Sequence, residues 1–364
     1  MKKLYFLLLV IFALSLGSAY ADEYDMIYRG ARPMGMGGAF TGVSDDENAL
    51  FYNPAGLNRI KPGEGKVIIL NPGLSLNSSA MNVIDKISDK LTEDPINTLS
   101  PYIGQNMHAN LMVSTPSYVR HNFGVMLLLP NIKNNTTLRR NVALQAIEDV
   151  VMDTGLIVGM SHGFLQDRLS VGADVKFLVR GAGHVTMDAV QLYTKEALSF
   201  KDIGGYGFGV DADLGAMYTF NKVAFFIPTV GLTLKNIGAT KFPTRFENKT
   251  ADLPDAFRLR RSLALGSKFE LPNVWRFTKW LVAFDINDIG LGGSFFKKVH
   301  LGTEAWLLNF FGLRGGINQG YLTFGLTLDI PVMQVDFYTY AEELGQGAGS
   351  KGDRRIGVQL TFGW

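Results

Sequence analysis

The chain has 364 residues, among them 41 glycines, 25 phenylalanines and 13 tyrosines, no cysteine, and a formal net charge of +2. The lack of cysteine excludes a disulfide framework and thiol chemistry, and the near-neutral charge removes any electrostatic case for nucleic acid as a partner. The length suits a single barrel-type domain, because barrels outgrow the usual domain size without dividing.

Residues 1–21 have the form of a cleaved export signal. Lys2 and Lys3 supply the charged start, Leu4 to Leu16 the apolar stretch, and Ala19-Tyr20-Ala21 the small-x-small cleavage site. The apolar stretch falls short of the roughly 20 residues that a spanning helix needs. Nothing later in the chain is a longer apolar run, so a membrane could be crossed only by strands.

Residues 22–62 are too rich in glycine and polar groups for a lipid-facing strand. Gly35, Gly37, Gly38 and Gly42 permit close backbone approach, Asp45, Asp46 and Glu47 are consecutive acids, and Asn53-Pro54-Ala55-Gly56 is a turn signal. The expectation is a hatch packed inside a barrel, with a disordered leader as the alternative. The glycines lack the spacing and the following Lys-Ser/Thr of a phosphate-binding loop.

From residue 63 to 364 the chain is expected to be all-β: an antiparallel transmembrane barrel of about 14 strands. They are placed near 65–71, 107–116, 122–130, 154–164, 169–181, 206–219, 224–236, 258–270, 276–288, 297–307, 309–316, 320–329, 332–342 and 353–364. Several of these strands alternate almost without fault. In 169–180, Leu169, Val171, Ala173, Val175, Phe177 and Val179 alternate with Ser170, Gly172, Asp174, Lys176 and Arg180. Soluble strands are typically about half as long as the longer of these. Every second link is short, as at 116–120, 166–168, 221–222, 271–273 and 330–331. The links between are mostly long, near 72–106, 131–153, 182–205, 237–257 and 343–352. Short turns on one rim and long loops on the other are the asymmetry of outer-membrane barrels, the short turns being periplasmic.

Two long loops carry helical spacing. Residues 78–92 set Ala80, Ile84, Ile87 and Leu91 along one stripe, and residues 141–152 offer Val142, Ala146, Val150 and Val151. Such a helix either caps the barrel mouth and buries its own stripe, or presents an apolar surface to a hydrophobic ligand from outside. On the second view Ala80, Ile84, Ile87 and Leu91 are the ligand-binding candidates.

If the apolar rows face lipid, the alternate rows put Asp174, Lys176, Arg180, Asp211, Asp213, Asp285, His300, Glu304, Arg314, Asp336 and Arg355 inside, where they need charged or hydrogen-bonding partners. No catalytic or metal site is expected. The five histidines show no clustered ligand spacing, and there is no Gly-x-Ser-x-Gly elbow. No cofactor is implied. In the last strand Ile356, Val358, Leu360, Phe362 and Trp364 point to lipid, so Leu360→Arg is expected to harm assembly more than Gly357→Arg.

The run Gly30-Ala-Arg-Pro-Met-Gly-Met-Gly-Gly-Ala-Phe40, Asp45-Asp46 and Tyr52-Asn-Pro-Ala-Gly-Leu57 resembles the start of the long-chain fatty-acid transporter superfamily (FadL). Within it the branch containing the secretion protein PorV is the nearest in pattern. Leu234-Lys-Asn-Ile-Gly238, Leu301-Gly-Thr-Glu-Ala-Trp306, Leu313-Arg-Gly-Gly316 and Phe324-Gly325 fit that branch. The resemblance implies a fourteen-stranded barrel in the outer membrane of a diderm bacterium, with an amino-terminal hatch in which Asn53, Pro54 and Ala55 serve its folding. It also implies passage of hydrophobic small molecules through the barrel and sideways into the membrane. A structural platform for secreted or envelope proteins is the alternative.

Overall fold

Lipid outside and a filled interior leave one regular solution for strands, a sheet closed on itself. The computed structural model, which describes residues 26–87, 97, 99–140, 143–188, 204–242, 258–272, 276–345 and 347–363, shows that solution. Fourteen antiparallel strands close into one barrel. They are β1 Gly65–Asn77, β2 Asn106–Arg120, β3 Phe123–Arg140, β4 Leu144–Phe164, β5 Leu169–Asp188, β6 Gly204–Thr219 and β7 Ile227–Lys235, followed by β8 Ser262–Leu271, β9 Phe277–Ile289, β10 Val299–Leu307, β11 Phe311–Asn318, β12 Tyr321–Ile330, β13 Met333–Glu343 and β14 Gly352–Gly363. The seam joins β1 to β14, from Ile68 opposite Gly363 to Asn77 opposite Arg355.

The burial pattern is that of a soluble protein turned inside out. Along β5, Val171, Val175 and Phe177 are exposed, while Ser170, Asp174, Lys176 and Arg180 are buried. On β12 Leu322, Phe324 and Leu328 are exposed and Thr323 and Thr327 are fully buried. All the charged residues assigned to the lumen from alternation, Asp174 through Arg355, are buried.

The wall is uneven. β4 runs for 21 residues and β5 for 20, whereas β10 has 9 and β11 has 8. About 9–11 tilted residues cross the hydrocarbon layer, so β2–β6 stand well above it. Several sequence expectations change here: β1 and β5 run on into the loops expected at 72–106 and 182–205, as far as Asn77 and Asp188. Residues 131–140 and 144–153 are the arms of a tall hairpin rather than a long loop, and 141–152, expected as a helix, belongs to β4 from Leu144 onward. Its residues pair with β3 on one side and β5 on the other, Glu148 opposite both Thr136 and Val185. Ladder bonds from two neighbours, with β-branched Ile147, Val150 and Val151, outweigh a helical spacing. The link expected at 116–120 is also strand, and the turn sits at His121–Asn122.

Helix α3 (Ser78–Ile87) does form, after α1 (Ala31–Gly35) and α2 (Ala49–Tyr52) of the amino-terminal segment. It does not cap the mouth. Val83, with Leu99 and Tyr102, packs on Leu138, Leu144 and Ala146. Those positions share a sheet face with the lipid-facing row of β4 that holds Leu156 and Met160. The helix therefore straps the outside of the tall wall, covering apolar side chains that rise past the membrane.

Candidate functional site

The barrel interior is occupied by residues 26–60, which comprise α1, α2 and a 3-10 helix over Pro54–Arg59. They reach nearly every strand, and the wall receives them through missing side chains. A Cβ on Gly172 of β5 would lie 2.5 Å from the Ala55 amide nitrogen, and one on Gly325 of β12 would lie 3.0 Å from the Gly35 Cα. Gly215 abuts Asn53, Gly231 abuts Thr41, and Gly302 and Gly316 abut Met36. These glycines sit on the lumen rows of neighbouring strands and form a girdle at the level of the segment. Alternation alone could have placed them there; their meaning was not visible until the opposing backbone was.

Gly35, Gly37, Gly38 and Gly42 answer from the inner side. Gly37 and Gly38 adopt φ of +67° and +78°, left-handed conformations that favour glycine. A Cβ on Gly42 would sit 2.9 Å from the Ser267 backbone. Asn53 ties the fold of the segment together. Its Oδ1 accepts from the Ala55 amide at 3.2 Å, and its Nδ2 donates to the carbonyls of Thr41 at 3.0 Å and Ala216 at 3.3 Å. Pro54 takes the first position of the 3-10 helix, where its absent N–H costs nothing, and Ala55 is fully buried.

Polar latches hold the segment to β9–β14. The Asp285 carboxylate accepts from the amides of Phe40 at 2.8 Å and Thr41 at 2.7 Å. His300 Nδ1 donates to the Gly37 carbonyl at 2.8 Å, the Ala31 amide donates to Gln359 at 2.9 Å, and Arg29 pairs with Glu342. Arg32 is the hub, contacting Glu304 at 2.7 Å, Asp45 at 2.5 Å and Asp46 at 2.7 Å. Arg314 meets Glu304 from the wall at 2.6 Å. Two further wall pairs, Arg180 with Asp153 and Lys176 with Asp213, set buried charge against buried charge.

The β2–β5 side adds an apolar cluster to such pairs. Leu50, Phe51 and Leu57 pack on Met112, Val119, Met126, Leu128, Ile157 and Leu178 of β2–β5, and Tyr28 stacks on Phe51 at 4.5 Å. The same cluster continues toward the long-loop rim through Phe242 and Leu259, residues not singled out from sequence. Phe242 enters the lumen where β7 ends, beside Gly209 and over the Arg180 guanidinium. Along this side the β3 ladder is interrupted at Pro130: Leu128 pairs with Gly155 and Asn131 with Asp153, so Leu129 and Pro130 face Thr154 alone.

On the short-turn side of the segment lies a charged chamber of about 630 Å³, lined by Arg32, Asp46, Glu47, Lys66, Glu304 and Asp336. Burial pushes the Asp46 carboxyl up to about 6, against the pull of Arg32 and with the push of Glu47 and Asp45. Toward the other rim, cavities near Met26 hold only about 50 and 30 Å³. Of the positions expected on an outer ligand-binding stripe, Ala80 is buried and Ile84 is 54% exposed, so the two face different ways. Ile87 closes α3, and Leu91 lies outside the described residues.

No family model matches this sequence, and no curated protein matches it. Solved structures do resemble it. The toluene transporter TodX of Pseudomonas putida aligns over 94% of this chain and 99% of its own, with 13% identity and a TM-score of 0.52. A TodX deltaS2S3 mutant, described as a monoaromatic hydrocarbon channel, aligns over 93% and 99%, with 13% identity and a TM-score of 0.54. Across nearly its whole length, then, the chain is similar to these proteins in fold: a closed antiparallel fourteen-stranded barrel.

Proposed function

We propose that this protein is an outer-membrane passage for hydrophobic, fatty-acid-like small molecules, and that residues 22–62 act as its hatch. The observation that carries the proposal is the apolar seam of Phe242, Leu259, Leu178, Ile157, Leu128 and Met126 in a lumen otherwise lined with charge. A ligand on this seam would gain roughly 0.8 kcal/mol per buried methylene. The seam runs beside the broken ladder at Pro130, where fewer wall hydrogen bonds oppose a sideways exit. The hatch is latched by polar bonds on the β9–β14 side, and on the β2–β5 side it is held by side-chain packing together with hydrogen bonds from Asn131 to the Ile27 carbonyl and from Ser170 to Asn58. Displacing Gly35–Gly42, Asn53, Pro54 and Ala55 together would lengthen the seam into a tunnel.

The likeness to a toluene transporter supports the class of cargo and leaves its identity open. Of the four outer positions, Ile84 is kept as a first contact, because Ala80 is already engaged in packing. The test is uptake of a labelled fatty acid and of labelled toluene by cells with and without the gene. Uptake unchanged for both compounds rejects the proposal.

One observation favours a second reading, a PorV-like platform for secreted or envelope proteins. The lumen around Met26 is nearly full, with cavities of about 50 Å³ or less. Crosslinking in intact cells discriminates: envelope proteins recovered with the barrel support the platform, and a solitary barrel rejects it.

A further inference from the structure

Where β7 ends, the chain turns through 236–242 and returns at 258–261, and this corner concentrates positive charge. Lys241 and Arg258 are directly opposed in an isolated antiparallel bridge, closed by the Leu259 amide donating to the Thr240 carbonyl at 2.9 Å. Like charges in direct opposition repel one another. Arg261 lies beside them, its Nε donating to the Ile237 carbonyl at 3.0 Å. All three side chains are exposed, and none forms an ion pair among the described residues. The acids beneath the corner are already engaged: Asp211 accepts from Gly238, Thr240 and Ala212, and Asp213 holds Lys176 and the Asn236 amide.

Position adds a second observation. Arg261 stands on the outward row of β8, one step above Leu263 and Leu265, while Ser262 and Ala264 of the alternate row are buried. The corner is tied to β6 by the Thr240 hydroxyl, which donates to the Val210 carbonyl at 2.6 Å. Val210 and its neighbour Phe208 are 44% and 56% exposed on the lipid-facing row. Three cations with no ion pair among the described residues thus crown an apolar surface at the long-loop rim.

We propose that Lys241, Arg258 and Arg261 bind the phosphate of a phosphorylated glycolipid headgroup in the outer leaflet, whose acyl chains lie against Phe208, Val210, Leu263 and Leu265. Guanidinium forks suit phosphate oxygens, and an anion between Lys241 and Arg258 turns their repulsion into attraction. A free phosphate would make no use of the apolar rows, so the lipid is the assigned source. The inference is independent of what passes through the lumen.

The test places the full mature barrel in nanodiscs of zwitterionic lipid, with or without bis-phosphorylated lipid A, and counts co-released lipids by native mass spectrometry. The protein should enrich lipid A. Replacing Lys241, Arg258 and Arg261 together by glutamine should weaken enrichment on the order of 100-fold, at about fivefold per charge. Arg139→Gln with Arg140→Gln, equally exposed at the tip of the tall hairpin, should leave it unchanged. Heat-shifted gel mobility confirms that each variant is folded. Undiminished enrichment in the triple variant, equal enrichment of dephosphorylated lipid A, or displacement by millimolar inorganic phosphate would each overturn the proposal.

Discussion

Gly172 faces the Pro54–Ala55 backbone so closely that no side chain fits, and backbone cannot rotate aside as a flexible side chain can. Gly172→Val is therefore expected to expel the 3-10 helix from the wall while leaving the β4–β5–β6 ladder intact. The barrel should keep its heat-shifted gel mobility, and residues 26–60 should become accessible to protease from the short-turn side. Resistance equal to the unaltered protein would mean that the glycine girdle is not what receives the segment. The same geometry corrects the expectation for Gly357. It does point inward, but the Tyr338 ring rests directly on it, so Gly357→Arg meets a buried aromatic rather than open lumen. Leu360→Arg, on the lipid-facing row, costs up to about 2–4 kcal/mol near the midplane. Both should assemble poorly, and adding Tyr338→Ala should rescue only the former in an outer-membrane insertion assay. Asp46 offers a third test. Its folded carboxyl titrates near 6, above the 3.8 of an ordinary aspartate, so the folded state holds the proton more tightly. Its contribution to stability therefore grows as pH falls through about 6 toward 4 and is lost above. The heat-shift midpoint should rise on acidification from pH 8 to 5 more in the unaltered protein than in Asp46→Asn, and equal rises would refute the assignment.

At the scale of elements, the strands were legible because two solvents enforce a strict alternation wherever the wall crosses lipid. β6, β12 and β14 were placed within two residues at each end and β5 at its start, with their lumen charges on the correct side. The expectation failed above the membrane. There β3 and β4 pass between water and the α3 strap, so apolar residues no longer mark lipid, and Val142, Ala146, Val150 and Val151 fitted a helix equally well. The glycine girdle was legible in position but silent in meaning, since a residue chosen for lacking a side chain carries no polarity to interpret. Phe242 was hidden by a different cause: it leaves the wall where β7 stops, and no periodicity foretells a side chain turning into the lumen. The strap itself can be tested. Leu138→Asp places a carboxylate under Val83, Leu99 and Tyr102, burying an unpaired charge. Residues 78–105 should become the first site of limited proteolysis, while the barrel core resists as before.

At the scale of the whole molecule, the question is whether the interior segment is a passenger or a stopper. Fourteen strands enclose more space than side chains alone can fill, yet among the described residues the cavities near Met26, on the long-loop side of the segment, hold about 50 Å³ or less. The 630 Å³ chamber lies on the other side. A column of water from rim to rim is therefore interrupted at the level of Arg32, Glu304, Phe40 and Asp285, where latches and packing coincide. In planar bilayers the intact protein should show little steady ion conductance. Removing residues 26–60 should produce large, stable openings, because the wall closes on itself through the β1–β14 seam without help from the segment. The freed wall would still carry Glu342 and Glu304, whose partners Arg29 and Arg32 leave with the segment, and Asp285, which loses the amides of Phe40 and Thr41. The open form should accordingly prefer cations, and the preference should fade as salt screens the uncovered carboxylates. A high-conductance intact barrel, or a deleted form that stays closed, would show that the segment does not seal the lumen, and the hatch proposal would fall with it.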